Sequence, residues 1–180
     1  MSNHLAIKDF EPKASHSYLI DTNILMYIFS PIASYGEKKQ ESISKFIERC
    51  KNVKAGIVTT SFVVGEFFHV NLNMYYNNWC ANQKDQIDFK LKDHYRPTQD
   101  YKESVEAINR SIELILKISD KFPDNFNNIS LSNIASHCYH AEFTDSYLLE
   151  LSNTKGWIIV SNDGDLINHP NRKQPIITSN

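Results

Sequence analysis

The chain has almost no excess of charge in either sign. Nineteen basic residues against twenty-one acidic ones leave a net charge of -2 at pH 7. Whole-molecule electrostatics therefore do not mark a nucleic-acid binder, and any phosphate-binding surface has to be local. Cysteine is scarce too. Cys50, Cys80 and Cys138 are odd in number and far apart, which argues against a disulfide framework and against a zinc site of the usual spacing. A reduced, cytoplasmic setting is the expectation that follows. No apolar run approaches the length of a membrane span. Residues 1–16, with Lys8, Asp9, Glu11 and Lys13, lack the apolar core of a signal peptide. No membrane association is expected. Internal repeats, low-complexity tracts and dividing linkers are also missing, and 180 residues suit one domain with a full core better than two.

What the sequence does contain is two short apolar runs that each end in an acidic turn. Tyr18, Leu19 and Ile20 read as the end of a buried strand, released into Asp21, Thr22 and Asn23. Trp157, Ile158, Ile159, Val160 and Ser161 form the second run, released into Asn162, Asp163, Gly164 and Asp165. A single such aspartate is accounted for as a helix N-cap. Two of them on neighbouring parallel strands are different, because charges about 4 Å apart repel by roughly 4 kcal/mol at an effective dielectric near 20. Such a pair calls for a cation or a proton. All-oxygen ligands suit a hard divalent ion best.

Between these runs the pattern alternates helix and strand. A helix is expected over 37–50, with Ile43, Phe46, Ile47 and Cys50 on one face, and a strand over 55–60. Ser61 should then cap a helix to about Asn78. Glu66 projects from the second turn of that helix, outside its apolar stripe. If the crossover is right-handed, it lies at the same end of the sheet as Asp21. Residues 76–100 read as an irregular insertion or lid in which basic residues alternate with Trp79, Phe89 and Tyr95, a pattern that can stack bases or serve a partner. The longest helix pattern covers 101–122, ended by Pro123. A brief strand at 129–131 precedes a Ser132-capped helix carrying His137 and His140, whose spacing is read as packing for want of a third nitrogen or sulfur ligand. Thr144 should cap a further helix with Asp145 in its first turn, where the helix dipole favours an ionised acid. Ile176 and Ile177 make a last short strand.

In this order of elements, YLIDTNIL and FTDSYLLELSNTKGWIIVSNDGDL resemble the PIN-domain nucleases, and in particular the VapC-type toxin ribonucleases of bacterial toxin-antitoxin pairs. The resemblance implies an α/β, PIN-like three-layer fold, with a short central parallel sheet flanked by helices and a single domain over 1–180. It implies Asp21, Glu66, Asp145 and Asp163 as catalytic and metal-binding carboxylates, with Asp165 as a further acidic position and Asn23 and Ser161 in support. Mg²⁺ or Mn²⁺ is the implied cofactor. RNA is the implied substrate, cut to a 5′-phosphate and a 3′-hydroxyl, with a cognate antitoxin and a homodimer as implied partners. The N-terminal extension over 1–16 and the 76–100 segment depart from the compact toxin pattern. Two other readings compete: a catalytically inactive PIN-like module that binds RNA or protein, and a phosphatase of the haloacid dehalogenase type. The latter needs a second aspartate two residues after the first, where this chain has Asn23.

Overall fold

The computed structural model describes residues 4–84 and 88–179. Residues 1–3 of the N-terminal extension, residues 85–87 of the 76–100 segment, and Asn180 lie outside them. The described elements run β1 (His4–Ala6), β2 (Ser17–Ile20), α1 (Thr22–Phe29), α2 (Glu37–Asn52), β3 (Gly56–Thr59), α3 (Ser61–Ala81), a π-helical turn (Leu91–Tyr95), α4 (Gln99–Ile118), β4 (Asp120–Lys121), a 3₁₀ turn (Phe126–Asn128), α5 (Leu131–His137), α6 (Phe143–Lys155), β5 (Ile158–Val160), α7 (Gly164–Asn168) and β6 (Ile176–Thr178).

The six strands form one parallel sheet in the order β1-β6-β5-β2-β3-β4. The chain moves outward from β2 in one direction through β3 and β4, then returns to the other side of β2 with β5. Right-handed crossovers taken in opposite directions put their helices on opposite faces. Accordingly α1 to α4 pack among themselves as one group and α5 packs on α6 as another. The point where the direction reverses is the β2–β5 pair, and a crevice for a ligand opens there, beyond the strands' carboxyl ends.

β2 and β5 read as continuous apolar runs because helices cover them on both faces. Tyr18, Leu19, Ile158, Ile159 and Val160 are all buried in one contiguous core with Phe46, Phe67, Ile108, Ile115, Leu148 and Leu151. Gly56 faces Ser17 across the β2–β3 ladder, where an added Cβ would lie 2.6 Å from the Ser17 Oγ. Gly156, at φ +71°, turns α6 back toward β5 in a left-handed conformation that only glycine adopts without strain.

Several boundaries differ from the sequence reading. β1 belongs to the sheet through β6, because a three-residue edge strand with exposed side chains gives no alternating pattern. The helix expected to reach Phe122 stops at Ile118: Ser119 turns extended and its hydroxyl donates back to the Ile115 carbonyl, freeing Asp120 and Lys121 to pair with β3. No strand forms at 129–131. Ser130 rather than Ser132 caps α5, Thr60 rather than Ser61 caps α3, and Glu142 rather than Thr144 precedes α6. In the 76–100 segment α3 continues to Ala81, and the aromatic residues face one another. Trp79 lies 5.2 Å from Tyr95 and 5.1 Å from Phe89, Tyr76 5.7 Å from Tyr95, and Tyr95 is only 1% exposed. Tyr95 belongs to the main core, with Tyr76 and Trp79 packed against it, which removes Tyr95 from any base-stacking surface. His137 is buried and pairs with Glu150 at 3.1 Å, as its packing role requires. Among the described residues, no helix is long and apolar enough to cross a membrane.

Candidate functional site

Four carboxylates come to one edge of the sheet from four separate elements. Asp21 leaves the end of β2 and is the N-cap of α1, its backbone carbonyl accepting from the Ile24 and Leu25 amides. Its own amide donates to the Val160 carbonyl at 3.0 Å, which fixes it against β5. The cap and the site are thus the same residue. Asp163 stands at the corresponding place after β5 and is the N-cap of α7, its Oδ1 accepting from the Asp165 and Leu166 amides at 2.7 and 3.2 Å. Glu66 lies in the second turn of α3, and Asp145 in the first turn of α6.

Polar side chains hold these acids in place. Asp21 Oδ1 accepts from the Thr22 amide at 2.7 Å, and Oδ2 accepts from Ser161 Oγ at 2.6 Å and Asn23 Nδ2 at 2.5 Å. Ser161 Oγ also accepts from the Asp163 amide at 2.9 Å and from Asn23 Nδ2 at 3.0 Å, so one hydroxyl ties both acidic turns together. Asn23 Oδ1 accepts from the Asn162 amide at 3.1 Å. Thr22 Oγ1 donates to Glu66 Oε2 at 2.8 Å, which orients the glutamate toward the β2 turn. No sequence pattern marks this Thr22 contact, since its partner is 44 residues away. Asn162 was missed likewise: its Oδ1 accepts from Thr178 and Ser179, bracing the β5 turn against β6.

The acids act on one another through space. Burial pushes Asp21 up to about 6; the Glu66 and Asp163 charges push the same way, and the Ser161 and Thr22 hydrogen bonds pull against them. Burial likewise drives Asp145 up to about 7, followed by the charges of Asp21, Asp163, Glu66 and Glu142. Glu142, exposed at the N-cap of α6, is an acid the sequence reading passed over. Asp165 is exposed, and its charge acts on His169. Among the described residues no lysine or arginine forms an ion pair with any of the four, and the oxygens of Asp145, Oε1 of Glu66 and Oδ2 of Asp163 receive no hydrogen bond. Acidic side chains are thus gathered here with no ion-paired lysine or arginine among the described residues.

No family description matches the sequence, and no curated protein matches it. Among solved structures, the chain is similar to VapBC2 from Rickettsia felis, solved bound to a promoter DNA fragment, at TM-score 0.51 and 13% identity, over 90% of this chain and 98% of that one. It is similar to PAE2754 from Pyrobaculum aerophilum at the same TM-score and identity, over 99% of this chain and 92% of that one. The fold is PIN-like. In this PIN-like fold the acids lie beyond the carboxyl ends of the central strands, and the similarity spans nearly the full length of both proteins. At 13% identity it speaks for the fold alone.

The residues present suit a divalent ion in their chemistry. All candidate ligands are carboxylate oxygens, several of them without donors, and two have proton affinities raised by burial first and then by neighbouring charges. As the side chains stand, no group of three or more His, Cys, Asp or Glu residues among the described residues converges closely enough to hold an ion unaided.

Proposed function

We propose that the chain is a metal-dependent endoribonuclease acting on single-stranded or loop RNA, and the toxin of a toxin-antitoxin pair, working as one domain. The observation that carries the reading is that Asp21, Glu66, Asp145 and Asp163 stand at one sheet edge and act on one another's charge, with no lysine or arginine ion-paired to them among the described residues. The PIN-like fold shared with VapBC2 supports the toxin assignment and a cognate antitoxin as partner. Homodimerisation belongs to the same reading and is checked by light scattering.

Asp21, Glu66, Asp145 and Asp163 would hold Mg²⁺ or Mn²⁺, with Asp165 adding charge at the rim. Such an ion lowers the pKa of bound water and stabilises charge building on a phosphate. The protein's own contribution is orientation and proton handling. Ser161 and Asn23 donate to Asp21 Oδ2 and keep that carboxylate ionised and aimed, as supporting groups do for ligands. Thr22 orients Glu66 by donating to its Oε2. Asp145, whose affinity for a proton is raised by burial and then by its acidic neighbours, is suited to accept the proton of the attacking water on a carboxylate oxygen.

The test is cleavage of an RNA pool with Mn²⁺, with Mg²⁺ and with EDTA, for wild type, Asp21→Asn and Asp163→Asn. Metal-dependent cutting by wild type and none by the folded variants is expected. A non-catalytic binding module is the second reading, favoured by the absence of a converged triad among the described residues. A wild type that neither cuts nor binds Mn²⁺ establishes it instead.

A further inference from the structure

Beside the carboxylates lies a cleft of about 270 Å³ that the nuclease reading does not use. Glu66, Thr22 and Asn23 line one side of it, so it opens directly onto the acidic edge. The rest of the lining is largely apolar and aromatic: Met26 and Tyr27 from α1, Tyr35 from the loop after it, and Val70 from α3, with Asn162. The two tyrosine rings lie 4.6 Å apart with planes inclined by 50°. Lys39 brings its ammonium 5.3 Å from the centre of the Tyr27 ring and 3.4 Å from its hydroxyl. An aromatic pair with a cation at its rim, continuous with a site for phosphate chemistry, has the parts of a stacking platform for a nucleic-acid base.

We propose that this cleft seats one nucleobase of a single-stranded RNA, that of the nucleotide next to the phosphate at the carboxylates, stacked on Tyr27 and Tyr35. The proposal rests on the nuclease reading for the position of that phosphate. A volume just under that of drug-sized pockets suits one base rather than a whole nucleotide. The amides nearest the cleft are already committed, Asn23 to Asp21, Ser161 and Asn162, and the Asn162 side chain to Thr178 and Ser179. They cannot read a base edge. Selection therefore follows stacking area, and purines are preferred over pyrimidines at this one position.

Two measurements test it. In the first, a short single-stranded RNA carrying 2-aminopurine is titrated in EDTA into Asp163→Asn, alone and combined with Tyr35→Leu, Tyr27→Leu or the two phenylalanine substitutions. Leucine keeps the apolar volume while removing the ring, and thermal melts confirm folding. Quenching of the fluorophore is expected with the parent and the phenylalanine variants and is lost with leucine. In the second, cut sites in a mixed-sequence RNA are mapped with Mn²⁺. Wild type should show a purine beside the cut, and the leucine variants should lose that preference with a fall in kcat/KM of about 5- to 150-fold. Metal-dependent cutting with the same efficiency and the same neighbouring bases in leucine variants and wild type overturns the cleft and leaves the nuclease standing. Quenching that depends on the rings, with no cutting by wild type, keeps the cleft and removes the nuclease. Neither quenching nor cutting removes both, and a protein partner then becomes the occupant to seek.

Discussion

Replacing Asp145 by Asn should make the protein more stable at neutral pH. The native carboxyl is pushed from 3.8 to about 7, so the folded state holds its proton more tightly than the unfolded chain does. Stability from such a group is present at low pH and is lost as pH rises from about 4 to about 7, after which the loss is complete. Taken at face value, three pKa units correspond to about 4 kcal/mol. Asp145 is only half-buried, and solvent screening reduces the figure to about 1–2 kcal/mol. For a chain of this length that is a rise in Tm of roughly 2–8 °C. The assay is thermal unfolding of wild type and Asp145→Asn in EDTA across pH 4 to 8. The two curves should meet near pH 4 and separate progressively up to pH 7. Mn²⁺ at neutral pH should then raise wild type selectively and narrow the gap. A gap of constant size from pH 4 to 8, or a variant that is less stable throughout, would falsify the idea that crowded negative charge strains this edge.

Mn²⁺ affinity should weaken by one to two orders of magnitude between pH 8 and pH 5.5, because Asp21 and Asp145 regain protons there; a pH-independent isotherm by calorimetry would exclude them as ligands. Ser161→Ala removes a donor to Asp21 and the acceptor for the Asp163 amide, and should lower metal affinity or activity about 10- to 100-fold with little loss of secondary structure. Unchanged Mn²⁺ binding would show that the hydroxyl is packing only. His137→Ala leaves the buried Glu150 with Asn133 alone and should cost roughly 2–4 kcal/mol in urea unfolding, against less for Glu150→Gln. A cost under about 1 kcal/mol would mean that water takes the place of the imidazole.

The parts of this fold that the sequence made legible are those where one physical demand dominates. β2 and β5 are buried on both faces, so their runs are wholly apolar, and the turns that end them stand out by contrast. The edge strands β1 and β4 are short and exposed, and Asp120–Lys121 carries no apolar residue at all, so nothing distinguishes it from a loop. The helix caps slipped by one or two residues because a serine or threonine inside the first turn looks the same in sequence as one just before it. In the 76–100 segment Tyr95 was not told apart from a base-stacking ring for a related reason: a ring that stacks on a base and one that packs against another ring have the same letter. Glu66 was assigned by its distance along a helix, and what now ties it to the β2 turn is the Thr22 hydroxyl. Asp165 shared the acidic turn with Asp163, yet the short α7 points its charge toward His169.

Because β2 is paired on one side with β3 and on the other with β5, some 140 residues later, the acidic edge has no local precursor. A chain emerging from the ribosome can complete β2, α1, α2 and β3 and still lack Asp145, Ser161 and Asp163. Its Asp21 would remain an ordinary hydrated carboxylate until β5 adds to the growing sheet. Chain order thus delays the site: any chemistry at this edge waits until β5 has been made and has paired with β2.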